Sequence, residues 1–201
     1  MNVSNRVMKR SGNGKIVKMS KDHKVLIYGD SHSRGLSSGL NNKLLDAFDV
    51  LGYTKPNFNI QTLLSTENQE IAHLTNKYVL VLIGGSNNIN DNTSASEQLH
   101  IFQFINRNMQ TNIVLLTIPY RYDQTGNAYI NEKIMEVNRK TGKCTRFNKD
   151  VTILETPKDR DYYTRHVYHL NGLGKEIICK LLASVIDRLF QPTEVIPITL
   201  D

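Results

Sequence analysis

Apolar residues recur along this chain in two rhythms. Short unbroken runs at 24–30 (KVLIYGD), 58–64 (FNIQTLL), 77–85 (KYVLVLIGG), 112–120 (NIVLLTIPY) and 151–156 (VTILET) have the length and β-branched content of strands. The third and fourth are almost wholly apolar, as strands covered on both faces are. Between the runs, residues 33–48, 67–75, 94–109 and 127–140 carry the spacing of one-sided helices, and 171–190 closes the chain. In that last helix Ile177, Ile178, Leu181, Leu182, Val185, Ile186 and Leu189 fall on one stripe, and Pro192 stops it. Strands separated by helices predict an α/β fold: a three-layer α/β/α sandwich around a five-stranded, mainly parallel, doubly wound sheet. In such a sheet chemistry is met at the carboxyl ends of the strands.

Length, charge and cysteines narrow the picture. The 201 residues suit one core. No apolar run approaches the roughly 18 residues of a membrane span, and the N-terminus is polar and basic, so an intracellular protein, cytoplasmic or nuclear, is expected. Cys144 and Cys179 show neither finger nor CxxC spacing, which argues against a disulfide framework. Residues 1–24 hold seven basic side chains against Asp22 alone and account for the whole formal charge of +6. Residues 1–23, with their SGNGK stretch, therefore read as a flexible basic arm, 24–191 as the folded domain and 192–201 as a tail. Arg6, Lys9, Arg10, Lys15 and Lys18 are candidates for non-specific contact with RNA or DNA phosphates; a solvated linker is the plainer reading.

Three polar clusters fall on the predicted rim. The first strand ends in GDSHSRGL with Asp30, Ser31 and His32; the third ends in GGSNNIND with Gly85, Asn87 and Asn88; and TRHVYHLNGLGK brings His166 and His169 just before the last helix. Asp30 adjoins Ser31, which suits an acceptor organising the turn, and His32 suits either a pocket lining or a supporting place. Arg121, Tyr122 and Asp123 end the fourth strand as a substrate wall or an ordinary solvated loop.

These blocks, in this order and over residues 24 to about 190, resemble the SGNH (GDSL-type) hydrolase superfamily, with its flavodoxin-like fold. The resemblance implies Ser31 as nucleophile, His169 as general base, and the Ser31 N–H with the Asn87 amide as oxyanion donors, Asn88 standing where an aspartate is usual. It further implies a small acyl or acetyl ester as substrate, an acyl-enzyme, and neither metal nor cofactor. The chemistry supports those residue types: a serine hydroxyl needs a neutral imidazole to take its proton, and the oxyanion needs donors already aimed at it.

Two departures stand out. The family's second block supplies a glycine N–H as third donor, yet 53–83 contain no glycine, and by position Ser65 or Thr66 would present its amide, Thr66 being taken here. The acid normally three residues before the histidine is replaced by His166, so Asp161 is taken as triad acid, with Asp159, Glu155 or a backbone carbonyl also in loop reach. A narrower resemblance is to the esterase-like domain of first-reading-frame proteins of non-LTR retrotransposons, which a basic arm fits. Two other readings follow from the departures: a degraded hydrolase fold serving nucleic-acid or protein binding, and a metal site built from Asp30, His32, His166 and His169.

Overall fold

Five parallel strands run in the order β2-β1-β3-β4-β5 through the centre of the chain. They are β1 (His23–Gly29), β2 (Phe48–Thr54), β3 (Tyr78–Ile83), β4 (Asn112–Leu116) and β5 (Val151–Leu154). The helices are α1 (Leu36–Asn41), α2 (Ile60–Leu63), α3 (Glu97–Arg107), α4 (Asn127–Thr145) and α5 (Gly172–Leu189). This is a computed structural model, and it describes residues 23–65, 71, 74–89, 97–108, 110–123, 127–166 and 168–191. The basic arm with Arg6, Lys9, Arg10, Lys15 and Lys18, the tail 192–201 and Thr66 lie outside the described residues.

Strand periodicity builds the layers. Val25, Ile27, Val79, Val81, Ile83, Val114 and Leu116 share one face of the sheet and pack against Leu36 and Leu40 of α1 and Ile178, Leu182, Val185 and Ile186 of α5. The alternate residues Leu26, Tyr28, Leu80, Leu82, Ile113 and Leu115 meet Ile60 and Leu63 of α2 and Ile101, Phe104 and Ile105 of α3. Ile130, Ile134 and Val137 of α4 cover Ile89 and Ile118, beyond the ends of β3 and β4. Among the described residues no helix is long and apolar enough to cross a membrane, and both cysteines are free.

Four of the five predicted strands are found, β1 shifted back by one residue and β3, β4 and β5 shortened; the helices over 94–109 and 171–190 are also shortened, whereas the one expected over 127–140 runs on to Thr145. Leu181 nevertheless lies outside the buried stripe of α5, at 42% exposure. The second strand is the correction: it is FDVLGYT at 48–54, and 58–64 is not a strand. As an edge strand β2 leaves Leu51 and Gly52 exposed, so it lacks the continuous apolar run that marks a covered strand. Gly52 is required by close approach, since a Cβ there would lie 2.5 Å from Ser37 Oγ of α1. The helix expected over 33–48 accordingly ends at Asn41. Ile60, Leu63 and Leu64 are buried at helical spacing, and the Asn59 side chain accepts the Thr62 N–H at 2.8 Å, so this stretch starts a helix with a cap.

Gly29 ends β1 where it touches β3 most closely. A methyl group there would overlap the Ile83 carbonyl and stand 2.6 Å from Ile83 Cγ2. Gly29→Ala is therefore expected to destabilise the fold by about 1–3 kcal/mol, read as a lower urea midpoint with an unchanged slope. A wild-type midpoint in this variant would contradict the packing described.

Candidate active site

The nucleophile turn is built on a buried carboxylate. Asp30 follows β1, its N–H still paired with the Ile83 carbonyl at 3.1 Å, and its Oδ1 accepts the His32 N–H at 2.9 Å. That bond caps the single 3-10 turn Ser31–Ser33. The Ser33 hydroxyl is tied to the Asp30 carbonyl and to Thr54 Oγ1 of β2, both at 2.8 Å. Burial pushes the Asp30 pKa up to about 6, against the lowering effect of the His32 and Ser86 amides. Among the described residues, Asp30 Oδ2 and the nearby Ser86 Oγ have no partner of hydrogen-bond geometry.

The histidine loop is held from its base. Tyr163 pairs with Leu170 in an antiparallel bridge, and the Thr164 N–H donates to the His169 carbonyl at 2.7 Å. Asn171, the N-cap of α5, donates from Nδ2 to the carbonyls of Asp161 and Tyr163, at 2.7 and 3.0 Å, and accepts the Gly174 N–H at 2.9 Å. A Cβ on Gly174 would collide with the Tyr162 carbonyl, so α5 packs directly on the loop. The Tyr163 hydroxyl accepts the Tyr120 N–H and donates to the Pro157 carbonyl, both at 2.9 Å, which ties the loop to the end of β4.

These two structures bring His169 Nε2 to 2.9 Å from Ser31 Oγ. Burial, then Lys175 and Arg34, lower the His169 pKa below its ordinary value, which favours the neutral form a base requires. His32 is buried beside it, with ring centroids 5.0 Å apart. Burial first, then the charge of His169, Lys175 and Arg121, hold its pKa down to about 3, so His32 is a neutral supporting residue.

Asn87 comes in from the turn after β3. Gly85 starts that turn at φ 102°, a left-handed conformation natural to glycine. The Asn87 amide is oriented at both ends: Nδ2 donates to the Phe58 carbonyl at 2.9 Å, and the Tyr168 hydroxyl donates to Oδ1 at 3.2 Å. An amide NH2 has two hydrogens, so a second one remains for an oxyanion. Asn88 Oδ1 accepts the Ile60 N–H at 2.7 Å and its Nδ2 donates to Gln61 at 2.9 Å, joining this turn to the start of α2.

The rim after the corrected second strand is 55–59, where Asn57 adopts φ 64°. Asparagine tolerates this conformation better than most residues. Of the two residues taken for the third donor, Ser65 donates its N–H to the Thr62 carbonyl at the end of α2, and Thr66 lies outside the described residues.

Asp161 is not brought to His169. It is exposed in the turn Arg160–Tyr162, its carbonyl is used by Asn171, and no hydrogen bond among the described residues joins its carboxylate to the imidazole. Glu155 pairs with Lys158 at 3.0 Å, Asp159 starts the same turn as Asp161, and His166 is exposed. Asp30, His32, His166 and His169 do not make a ligand set: no group of three or more His, Cys, Asp or Glu residues suited to a metal occurs among the described residues.

Tyr168 carries no signal of its own in the sequence, and Arg121 is expected there only as part of a wall or a solvated loop. Tyr168 stacks edge-on to His169 at 4.8 Å, and Arg121 lies over its other side, 5.0 Å from the ring centroid. Arg121 is paired with Asp123 through two bonds of 3.0 and 2.7 Å, and Asn131 of α4 binds both its N–H and its carbonyl. The loop after β4 is thus a fixed wall of the site. The Tyr122 hydroxyl bonds the Lys158 carbonyl, away from His169.

Solved structures share this arrangement of elements. A GDSL-family lipolytic protein from Veillonella parvula superposes with a TM-score of 0.68 at 12% identity, over 83% of this chain and 99% of its own. The chain has the SGNH-hydrolase fold. Est24, a carbohydrate acetylesterase from Sinorhizobium meliloti, gives 0.68 at 12% identity over 84% and 100%. A lipase/acylhydrolase from Enterococcus faecalis gives 0.62 at 16% identity over 86% and 99%. No protein-family model and no curated protein matches the sequence. Within the SGNH fold, Ser31, Asn87 and His169 stand where its strand ends converge.

The burial of His32 and Asp30 sets an acid response. His32 falls from 6.5 to about 3 on folding, so the stability of its neutral form is present above pH 6.5 and lost as pH falls through about 3. Asp30 rises from 3.8 to about 6, and its contribution runs the other way, lost as pH rises through about 6. The His32 contribution is absent from His32→Asn while that of Asp30 remains, so acidification from pH 6.5 to 4 lowers the stability of wild type relative to that of His32→Asn. Urea midpoints at pH 7, 5 and 4 test this; parallel losses in both proteins would refute it.

Proposed function

We propose that this protein is a serine esterase that hydrolyses small acyl or acetyl esters through an acyl-enzyme at Ser31. The observation that carries this reading is the 2.9 Å approach of His169 Nε2 to Ser31 Oγ. The oriented amide of Asn87, joined to the histidine loop through Tyr168, supports it, as does the fold shared with an acetylesterase and an acylhydrolase.

Ser31 Oγ attacks the ester carbonyl carbon as His169 Nε2 takes its proton. The carbonyl oxygen becomes an oxyanion that the Ser31 N–H and the free hydrogen of Asn87 Nδ2 bind. Collapse breaks the bond to the alcohol, which leaves with the proton from His169. Water then gives a proton to the same nitrogen as it attacks the acyl carbon, and collapse breaks the bond to Ser31 Oγ, which takes that proton from His169 as the acid is released. No carboxylate among the described residues bonds His169, so the reaction runs on a dyad, and Asp161 is assigned a positioning part only, through its carbonyl. The neutral base persists below the usual histidine range, so the acid limb of kcat/KM has its midpoint below pH 6.5.

That missing acid also favours a second reading, a degraded hydrolase fold serving in nucleic-acid or protein binding within a retroelement protein. The charge of residues 1–24 assigns any phosphate-backbone contact to the arm. Covalent labelling by a fluorophosphonate decides between the two readings: wild type labels at Ser31 and Ser31→Ala does not. An unlabelled wild type would leave the binding module.

Ser31→Ala and His169→Ala each lower turnover of an activated acetyl ester by roughly 10⁴ or more, and the double variant is no worse than either. Undiminished turnover in Ser31→Ala would end the assignment. His166→Asp, which returns a carboxylate three residues before the base, raises kcat at least about tenfold, while Asp161→Asn stays near wild type. A severe loss in Asp161→Asn would show instead that its carboxylate orients His169 during turnover.

A further inference from the structure

Two cations without partners flank the dyad. Arg34 closes the nucleophile turn, its N–H donating to the Ser31 carbonyl at 3.4 Å, and its side chain is exposed. Lys175 lies in the first turn of α5, its N–H donating to the carbonyl of Asn171, and it is half-buried. Among the described residues neither side chain makes an ion pair or a hydrogen bond, whereas Arg121, the third cation at this rim, is neutralised by Asp123.

Their placement is electrostatically unfavourable. Both charges act on the His169 imidazole, and Arg34 also acts on Lys175, whose pKa burial and that charge lower. The first turn of α5 contains no acidic residue, so Lys175 sits at the positive end of an 18-residue helix dipole. Two like charges, one in the turn of Ser31 and one at the N-terminus of the helix that follows His169, are balanced most simply by an anion arriving with the substrate.

We infer that the site selects esters bearing a carboxylate or phosphate near the scissile group, with Arg34 and Lys175 as the residues that bind it. This rests on the esterase reading for its chemistry but not for its binding. Such an anion contributes twice, since charge-assisted bonds hold the ester and its charge stabilises the imidazolium that forms at His169, for which the described residues offer no carboxylate.

Two matched ester pairs and one titration test it. The pairs are 4-acetoxybenzoate against its neutral methyl ester, with the anion on the alcohol part, and mono-4-nitrophenyl adipate against 4-nitrophenyl hexanoate, with the anion on the acyl part. The anionic member of at least one pair is preferred about tenfold or more in kcat/KM, and which pair shows it locates the anion. The preference shrinks with added salt and disappears in Arg34→Gln/Lys175→Met, where methionine keeps much of the aliphatic stem. Independently of turnover, the His169 pKa is followed by NMR in Ser31→Ala with and without 4-hydroxybenzoate and monomethyl adipate, the anions of the two ester types. At least one anion raises it in Ser31→Ala, and neither does once Arg34→Gln/Lys175→Met is added. Equal turnover within both pairs, a preference that survives in the double variant, or an unmoved His169 pKa would overturn the inference. Failure to hydrolyse any of the four esters would instead count against the esterase reading, and the titration would still decide whether the anion binds.

Discussion

Asp30 is a carboxylate with no solvent exposure, and the geometry of the nucleophile depends on where it is held. Its backbone is still part of the sheet through the Ile83 carbonyl, while its side chain already belongs to the turn through the His32 N–H. One residue therefore converts the direction of β1 into the direction of Ser31. Burying such a group is costly unless it is hydrogen-bonded, and a pKa of about 6 records that its charged form is only partly compensated. The strand pairing beneath it must be tight for this to work, which is why Gly29 can carry no side chain.

The histidine reaches the same point by a different construction. Its loop has little regular structure, and its position is set by side chains that bind backbone: Asn171 below, Tyr163 towards β4, and Tyr168 towards Asn87. Tyr168 is the connection that matters most, because it makes the His169 ring and the Asn87 amide neighbours in one unit. Arg121 over the Tyr168 ring, clamped by Asn131 and Asp123, fixes that unit from outside. Preorganisation of this kind is what oxyanion stabilisation needs, since donors that must move into place contribute less.

The parts legible in the sequence are those where one face of an element decides its burial. β1, β3 and β4 are covered on both sides and appear as apolar runs, and α5 shows its stripe. β2 was illegible because it is an edge strand with exposed positions, and the apolar residues after it, Ile60, Leu63 and Leu64, could pass for a strand when read as a run and for a helix when read by spacing. Ser31 and Asn87 lie in compact motifs just after β1 and β3, and His169 in one just before α5, so the approach of Ser31 to His169 could be expected from the motifs. Tyr168 and Arg121 act through contacts between distant loops, for which no local pattern exists.

A base flanked by cations behaves differently from one backed by a carboxylate. An acid partner stabilises the imidazolium that forms as the serine attacks, and so favours the transition state over the resting site. Burial, and after it Lys175 and Arg34, do the reverse, favouring the neutral imidazole of His169. On the reading proposed above, the imidazolium would be offset by negative charge, and among the described residues no carboxylate bonds His169 to supply it. Substrate charge would then act on the chemical step as well as on binding, so that recognition of the correct ester and stabilisation of its transition state come from the same two side chains.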